Sequence, residues 1–135
     1  MTTSQMTETT IKVGSAVPTF LVSDIAGTVQ WYEQELGFVL AGHAPSQEPY
    51  VYASLVRDNA ELMLLNLAGY EKPDLSARRP AGLWDAYFRT HGVAGLYETL
   101  KGKPFVKMPL TRQSYGDLEF EVRDPNGYVL VFGGD

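Results

Sequence analysis

The sequence predicts an α+β fold in which a β-α-β-β-β module occurs twice. Two short matches support this prediction, together with a shared order of apolar patterns. Ile25-Ala26-Gly27 recurs as Val93-Ala94-Gly95, 68 residues later, and the turn at Asp58 recurs at Asp124, 66 residues later. A single short match would be chance, whereas two matches with the same element order favour a duplicated module.

The first module begins with the β-rich run 17–22, which stops at Ser23-Asp24, a typical helix N-cap. A helical stripe follows, and its apolar members recur at spacings of four, three and four: Ile25, Val29, Tyr32 and Leu36. Gly37 is suited to end this helix. Residues 38–40, 50–56 and 61–67 are predicted strands, and a hairpin-like turn at 57–60 joins the last two.

The second module repeats this order after a loop rich in proline and arginine. Its predicted strands are 85–90, 105–108, 118–123 and 128–132, and its helix is 93–100. Asp124-Pro125-Asn126-Gly127 is a strong turn signal, because proline fixes φ and Asn-Gly tolerates positive φ. We therefore expect one compact domain made of a flexible tail (1–14), a first module (15–67), a linking loop (68–82) and a second module (83–135).

Composition limits the possible functions. The 135 residues suit a single domain, and with 44% hydrophobic and 20% charged residues the chain can bury a core without disulfides. The absence of cysteine excludes thiol nucleophiles, cysteine zinc sites and iron–sulfur clusters. The net charge of −5 disfavours nucleic acid as a partner. No apolar run is long enough to span a bilayer, and the first ten residues lack the features of a secretory signal, so we expect a cytoplasmic protein with no membrane contact.

Four segments, in this order and spacing, resemble the vicinal oxygen chelate superfamily, which includes glyoxalases, extradiol dioxygenases and bleomycin-resistance proteins. The segments are 20–24 (FLVSD), 31–38 (WYEQELGF), Tyr115-Gly116 and 122–127 (VRDPNG). The resemblance covers about residues 15–133. It implies that two paired β-α-β-β-β modules curl into a cupped mixed sheet with the helices packed outside.

The same resemblance indicates where a metal would be bound. In metal-dependent members the ligands project from the first and last strand of each module, and the corresponding positions here are Val17, Leu64, Asp85 and Val131. Three of these four are aliphatic and bind no metal. His43 and His91 fall outside the inferred ligand positions, so we predict no metal, no cofactor and no assigned catalytic residue.

Strand alternation predicts which side chains face the cup. The expected ligand-binding residues combine apolar and aromatic walls with few polar groups, as in many small-molecule sites: Val17, Tyr50, Tyr52, Leu64, Asp85, Tyr87, Arg89, Glu119 and Val131. In strand 118–123 the alternation assigns Leu118, Phe120 and Val122 to the core. Tyrosine is also favoured in strands for packing alone, so pattern does not by itself assign a binding role.

These features favour a metal-free protein of the bleomycin-resistance type that sequesters a small aromatic or cationic compound, such as an antibiotic or metabolite. The alternative is a lyase, isomerase or dioxygenase of the same superfamily with altered active-site residues, and a dimer without a ligand stays open as a third class. The resemblance also implies a homodimer, because family members commonly complete their cups with both chains.

Overall fold

A computed structural model describes residues 10–135, so most of the expected tail over residues 1–14 lies outside the described residues. The first module contains strand β1 (Thr19–Val22), helix α1 (Ile25–Leu36) and strands β2 (Val39–Ala44), β3 (Tyr52–Arg57) and β4 (Ala60–Asn66). A short 3-10 helix (Ser76–Arg78) lies in the linking loop. The second module contains β5 (Ala86–Thr90), α2 (Val93–Leu100), β6 (Val106–Arg112), β7 (Leu118–Arg123) and β8 (Val129–Gly134).

Each module forms an open four-stranded mixed sheet. The strand order is β1-β4-β3-β2 in the first sheet and β5-β8-β7-β6 in the second. In both sheets the first strand pairs in parallel with the last, and the remaining pairs are antiparallel. This repetition confirms the predicted α+β fold with paired modules. None of the described helices is long and apolar enough to cross a membrane.

Local sequence signals set the ends of α1. The Asp24 carboxylate accepts a hydrogen bond from the backbone N–H of Gly27 at 3.0 Å, which satisfies a donor that the helix itself leaves free. Gly37 ends the helix with φ of 69°, a conformation that costs glycine little. Both ends therefore match the prediction from sequence.

The strand register corrects one predicted equivalence between the modules. Thr19 pairs with Met63 in the first sheet, and Tyr87 pairs with Val131 in the second, so both strands of this pair repeat at an offset of 68 residues. Met63, and not Leu64, is therefore the counterpart of Val131. Leu64 is fully buried in the helix-side core, so its predicted position in the cup is wrong.

The error arises from the two hairpins. Val56 pairs with Glu61 across four intervening residues, whereas Arg123 pairs with Val129 across five. The strands before the two hairpins repeat at an offset of 67 residues, as Ser54 and Glu121 show, whereas the strands after them repeat at 68. Carrying the offset of 67 past the hairpin places Leu64 over Val131, and a slip of one residue moves every side chain to the other face of its strand.

The two modules share one hydrophobic core on the faces of their sheets that carry the helices. Phe20 of β1 stacks on Tyr128 with ring centroids 3.9 Å apart, and Phe38 contacts Phe88 of β5 at 6.1 Å. Phe88 also stacks on Phe132 of β8. Aromatic contacts of this kind add to the free energy gained by burial, so the core holds the modules together.

A buried carboxylate links the modules at the β7–β8 turn. Asp124 is only 4% exposed, and it accepts hydrogen bonds from the Tyr32 hydroxyl at 2.6 Å and from the backbone N–H groups of Asn126 and Tyr128 at 2.9 Å. Burial raises the pKa of Asp124, although the three hydrogen bonds oppose that shift. Tyr32 lies on α1, so this contact ties the first helix to the second module.

Candidate functional site

The second sheet has a face that lies opposite its helix-side core, which we call the second free face. It is defined by two rows of paired residues, one through Tyr87, Val131 and Glu121 and the other through Arg89, Gly133 and Glu119. Side chains of directly paired residues lie on the same face of a sheet. The structure therefore brings four predicted site residues together: Tyr87, Arg89, Glu119 and Val131.

Glu119 is the most buried charged group on this face, with an exposed fraction of 1%. Its Oε2 atom accepts hydrogen bonds from the Tyr87 hydroxyl at 2.7 Å and from the Tyr115 hydroxyl at 2.6 Å. The Tyr87 hydroxyl also lies 3.5 Å from Asp117 Oδ2. Two short bonds to a charged acceptor hold the carboxylate and both phenols in one arrangement.

Gly133 makes this arrangement possible. A Cβ atom at that position would overlap the Tyr87 hydroxyl and would lie 2.9 Å from Glu119 Cγ. Only glycine leaves the space in which the Tyr87 side chain crosses β8 to reach Glu119.

Tyr115 was not among the predicted site residues. It lies between β6 and β7 and is 58% exposed. Strand alternation says nothing about a residue in a turn, so the reach of its side chain to Glu119 depends on the folded loop. Two signals in the sequence mark Tyr115: it belongs to one of the segments that resemble the superfamily, and it lies four residues before Glu119 of β7.

The two phenols are expected to ionise at unusually high pH. The hydrogen bond to Glu119 is the main cause that raises the pKa of Tyr115 to about 12, and burial followed by the same carboxylate raises the pKa of Tyr87 still further. We expect Glu119→Gln to lower both pKa values, because the charged acceptor is lost. Ultraviolet titration of phenolate absorbance in single Tyr→Phe variants measures this change, and Glu98→Gln on α2 is the remote control. Unchanged pKa values in Glu119→Gln would contradict the assigned contacts.

This ionisation also affects stability in a defined direction. A phenol whose pKa is raised by folding contributes stability below its unfolded pKa of about 10, and that contribution is lost as the pH rises through the folded value. For Tyr115 the window runs from about 10 to about 12.

Aromatic side chains and a cavity lie beside this cluster. Trp84 contacts Tyr87 with ring centroids 5.0 Å apart and is 53% exposed, and the Arg89 guanidinium carbon lies 5.5 Å from the centre of the Tyr87 ring. At the end of the face that carries Arg89 is an open cavity of about 480 Å³, lined by Arg89, Thr90, His91, Asp117, Gly133, Gly134 and Asp135. Its size is in the range of small-molecule sites.

The linking segment contacts the other end of the second sheet. Lys72 Nζ lies 3.4 Å from Asp85 Oδ2 and 5.5 Å from the centre of the Tyr128 ring. Farther along the segment, Asp74 Oδ2 lies 3.8 Å from a terminal nitrogen of Arg123. The contacts place the linking segment against the second module, whereas the cavity beside Arg89 stays open.

The residues at the family's ligand positions do not fit a divalent metal. Asp85 Oδ2 accepts the backbone N–H of Val129 at 2.8 Å and also contacts Lys72, so this carboxylate is engaged by the protein. Val17, Met63 and Val131 offer no oxygen or nitrogen side-chain ligand. Across residues 10–135 no group of three histidine or acidic side chains is arranged to hold a metal ion.

The other predicted site residues are separated from the cluster. Tyr52 lies on the free face of the first sheet, where its hydroxyl is 3.5 Å from Met63 Sδ, and Val17 is half-buried just before β1. Tyr50 stacks on His43 and packs against the helix-side core, so its predicted place in the cup is wrong. The reason is a bend at Val51, which interrupts the alternation before β3 begins and leaves Val51 itself exposed.

A family comparison identifies the fold. The profile of the Glyoxalase/Bleomycin resistance protein/Dioxygenase superfamily matches residues 14–132. The chain belongs to this superfamily. No curated protein matches the sequence significantly.

Solved structures of superfamily-like proteins support the same fold. TioX from Micromonospora sp. ML1 is 17% identical with a TM-score of 0.68, and the alignment covers 90% of this chain and 96% of TioX. A glyoxalase-related enzyme from Clostridium phytofermentans is also 17% identical, with a TM-score of 0.70 and coverage of 95% and 99%. The bleomycin-binding protein from bleomycin-producing Streptomyces verticillus, complexed with copper(II)-bleomycin, is 19% identical with a TM-score of 0.65 and coverage of 93% and 99%. At these identities the likeness shows the shared fold and leaves the ligand of this chain open.

Proposed function

We propose that this protein binds and sequesters a small aromatic or cationic molecule on the second free face, without a metal. The observation that carries the proposal is the cluster of Tyr87, Glu119 and Trp84, which adjoins an open cavity through the cavity's lining residues Asp117 and Gly133. Ligand pockets typically combine apolar or aromatic surface with a few placed polar groups.

The charges around the cavity favour a cation. Glu119 and Asp117 lie beside the Tyr87 hydroxyl, and the face of an aromatic ring attracts positive charge. Two basic residues line the cavity: Arg89 is exposed to solvent, and His91 Nδ1 lies 3.0 Å from Asp135 Oδ1. Because its charge is hydrated, Arg89 weakens the attraction for cations without reversing it.

The structural neighbours make ligand binding a reasonable function for this fold. Two of them are bleomycin-binding proteins solved with bleomycin or copper(II)-bleomycin, and another is described as a glyoxalase-related enzyme. Because one neighbour is a glyoxalase-related enzyme, a lyase or isomerase is the alternative function. The two functions differ in whether the bound compound is released unchanged.

We also propose that the protein forms a homodimer. The free face of the first sheet carries partly exposed apolar side chains, including Leu21 and Leu65, which are 37% and 40% exposed. Covering such a surface with a second chain would remove apolar area from water. Sedimentation equilibrium measures the mass directly, and a monomer at high concentration would contradict this proposal.

The binding proposal is tested with a panel of cationic, neutral and anionic aromatic compounds, titrated at two salt concentrations with and without chelator. We expect the cationic members to bind most tightly, and we expect chelation to leave their affinity unchanged. Trp84→Ala should weaken binding by about 3- to 10-fold, because it removes one aromatic wall. Val13→Ala removes an exposed apolar side chain that precedes β1 and is the control.

Two outcomes would count against this function. If no compound of the panel binds, the proposed function is wrong. Recovery of a chemically altered compound in excess over protein would favour the enzyme alternative.

A further inference from the structure

Two valines are buried on the face of the second sheet that carries no helix. Val129 and Val131 have exposed fractions of 5% and 0%, yet among residues 10–135 they are the only buried hydrophobic residues outside the helix-side core. We call this pair the valine floor. Met63, the counterpart of Val131 in the first sheet, is only half-buried. Because the two sheets have the same strand order, the extra burial comes from groups that only the second sheet carries.

The linking segment over residues 68–82 lies on this side of the second sheet. Asp74 Oδ2 is 3.8 Å from a terminal nitrogen of Arg123, and a Cβ atom built on Gly82 would lie 3.6 Å from Glu121 Oε2. Arg123 and Glu121 are the β7 residues that pair with the two valines. The segment therefore passes beside both rows of the valine floor and covers it.

The cover is held mainly by charged groups. Its ion pairs with the second module, Lys72–Asp85 and Asp74–Arg123, join partly exposed side chains, and such pairs stabilise a protein only weakly. Every residue from 73 to 81 is exposed. With the segment in this position, Arg123 Nε is buried and has no hydrogen-bond partner in the described part of the chain, which is costly. A segment with so few buried apolar contacts opens at a lower free energy than the core.

We propose that the linking segment is a lid, which opens when its two ion pairs separate and admits the aromatic body of the ligand to the valine floor. The opening is a property of the unliganded chain, whereas the place of the ligand rests on the proposed function. The open cavity beside Arg89 is lined by polar residues and glycines, so the floor supplies the apolar surface that this cavity lacks. Tyr87 pairs with Val131, so a ligand on the floor also reaches the Tyr87 ring.

The test uses the absence of cysteine from the chain, because a single introduced cysteine then reports whether a thiol reagent reaches its position. Val131→Cys lies on the floor. Val122→Cys is the matched control, since both valines are fully buried but Val122 belongs to the helix-side core. The rate of labelling by iodoacetamide is measured on the unliganded full-length protein. We expect Val131→Cys to react about 10-fold faster or more, because opening the lid costs less free energy than global unfolding.

Further variants test whether the ion pairs hold the lid. Lys72→Met combined with Asp74→Asn removes both pairs, and asparagine keeps an oxygen that can accept the backbone N–H of Ser76. Labelling of Val131→Cys should become about 3- to 10-fold faster in this background, as expected for the loss of two weak ion pairs. High salt screens the same charges and should act in the same direction. Glu98→Gln removes an ion pair on α2 and is the control.

The outcomes separate the lid from the proposed function. Equal labelling rates of Val131→Cys and Val122→Cys, after correction for global stability by urea unfolding, would overturn the lid, and so would a rate that loss of the ion pairs leaves unchanged. Val129→Cys reports the same floor if Val131→Cys does not fold.

A cationic aromatic amine, 2-naphthylmethylammonium, tests where the ligand lies. Once bound, it should slow the labelling of Val131→Cys, and binding without this protection would show that the valine floor is not the ligand site. If neither this amine nor any other compound of the panel binds while the floor still opens, the proposed function fails and the lid is supported.

Discussion

Replacement of Asp124 by alanine is expected to lower the free energy of unfolding by at least about 3 kcal/mol, since it removes the acceptor of three buried hydrogen bonds. The Tyr32 hydroxyl and two backbone N–H groups would be left without that acceptor, and each unsatisfied buried donor costs about 1–3 kcal/mol. Tyr32 is fully buried, so water does not readily replace the carboxylate there. Urea unfolding followed by circular dichroism measures the change.

Two further variants separate the contributions of the individual hydrogen bonds to this loss of stability. Asp124→Asn keeps one carbonyl acceptor and should cost less than alanine, whereas Tyr32→Phe removes a single donor and should cost about 1–2 kcal/mol. Equal losses in Asp124→Ala and Asp124→Asn would contradict the hydrogen-bond explanation.

The pH dependence provides an independent check on Asp124. Burial raises the pKa of its carboxyl group, so the folded chain holds this proton at a pH where the unfolded chain has released it. The stability that such a group contributes falls as the pH rises from its pKa in the unfolded chain, about 4, through its higher pKa in the folded chain. The wild type should therefore lose stability relative to Asp124→Asn over that interval.

The parts of the fold that follow from local chemistry were predictable. Asp24 and Gly37 set the ends of α1 through capping, and alternation along regular strands placed Tyr87, Glu119 and Val131 on one face. In β7 the predicted core residues Leu118, Phe120 and Val122 also pack into the helix-side core. These predictions depend only on period and on neighbours close in sequence.

The errors occur where alternation is interrupted. One extra residue in the β7–β8 connection misplaced Leu64, and the bend at Val51 misplaced Tyr50. The edge strands β2 and β6 extend beyond the predicted 38–40 and 105–108, because edge strands are half-solvated and their polar residues resemble a loop. The pairing register of β2 and of β6 also shifts within the strand, so the alternation of apolar and polar residues continues for fewer residues than the strand itself.

Contacts between distant residues were beyond sequence pattern. Lys72 lies 13 residues before Asp85 in the chain, and Asp74 is much farther from Arg123. Such pairs depend on how the linking segment folds back on the second module. The contact between Tyr115 and Glu119 is local in sequence, but it depends on the conformation of the turn before β7, which strand alternation does not describe.

Substitution of Gly133 by alanine is expected to disrupt the hydrogen-bonded cluster of the candidate site directly. The added Cβ of Gly133→Ala would overlap the Tyr87 hydroxyl and would lie 2.9 Å from Glu119 Cγ, and both belong to the hydrogen-bonded cluster. The backbone of Gly133 is not in the left-handed region, so the effect is steric and not conformational. Overpacking of a close-packed site typically costs about 1–3 kcal/mol.

The substitution should also displace the Tyr87 hydroxyl from Glu119. We therefore expect the pKa of Tyr87 to fall towards its ordinary value of about 10 and the affinity for the cationic aromatic compounds of the panel to drop by about 10-fold or more. Gly95→Ala is the matched control, because a Cβ there meets nothing within 4 Å and alanine favours a helix interior by about 0.5–1 kcal/mol. Thermal unfolding, ultraviolet titration and calorimetry measure the three effects. A Gly133→Ala protein with unchanged Tyr87 ionisation and unchanged affinity would show that the Tyr87–Glu119 contact does not shape the site.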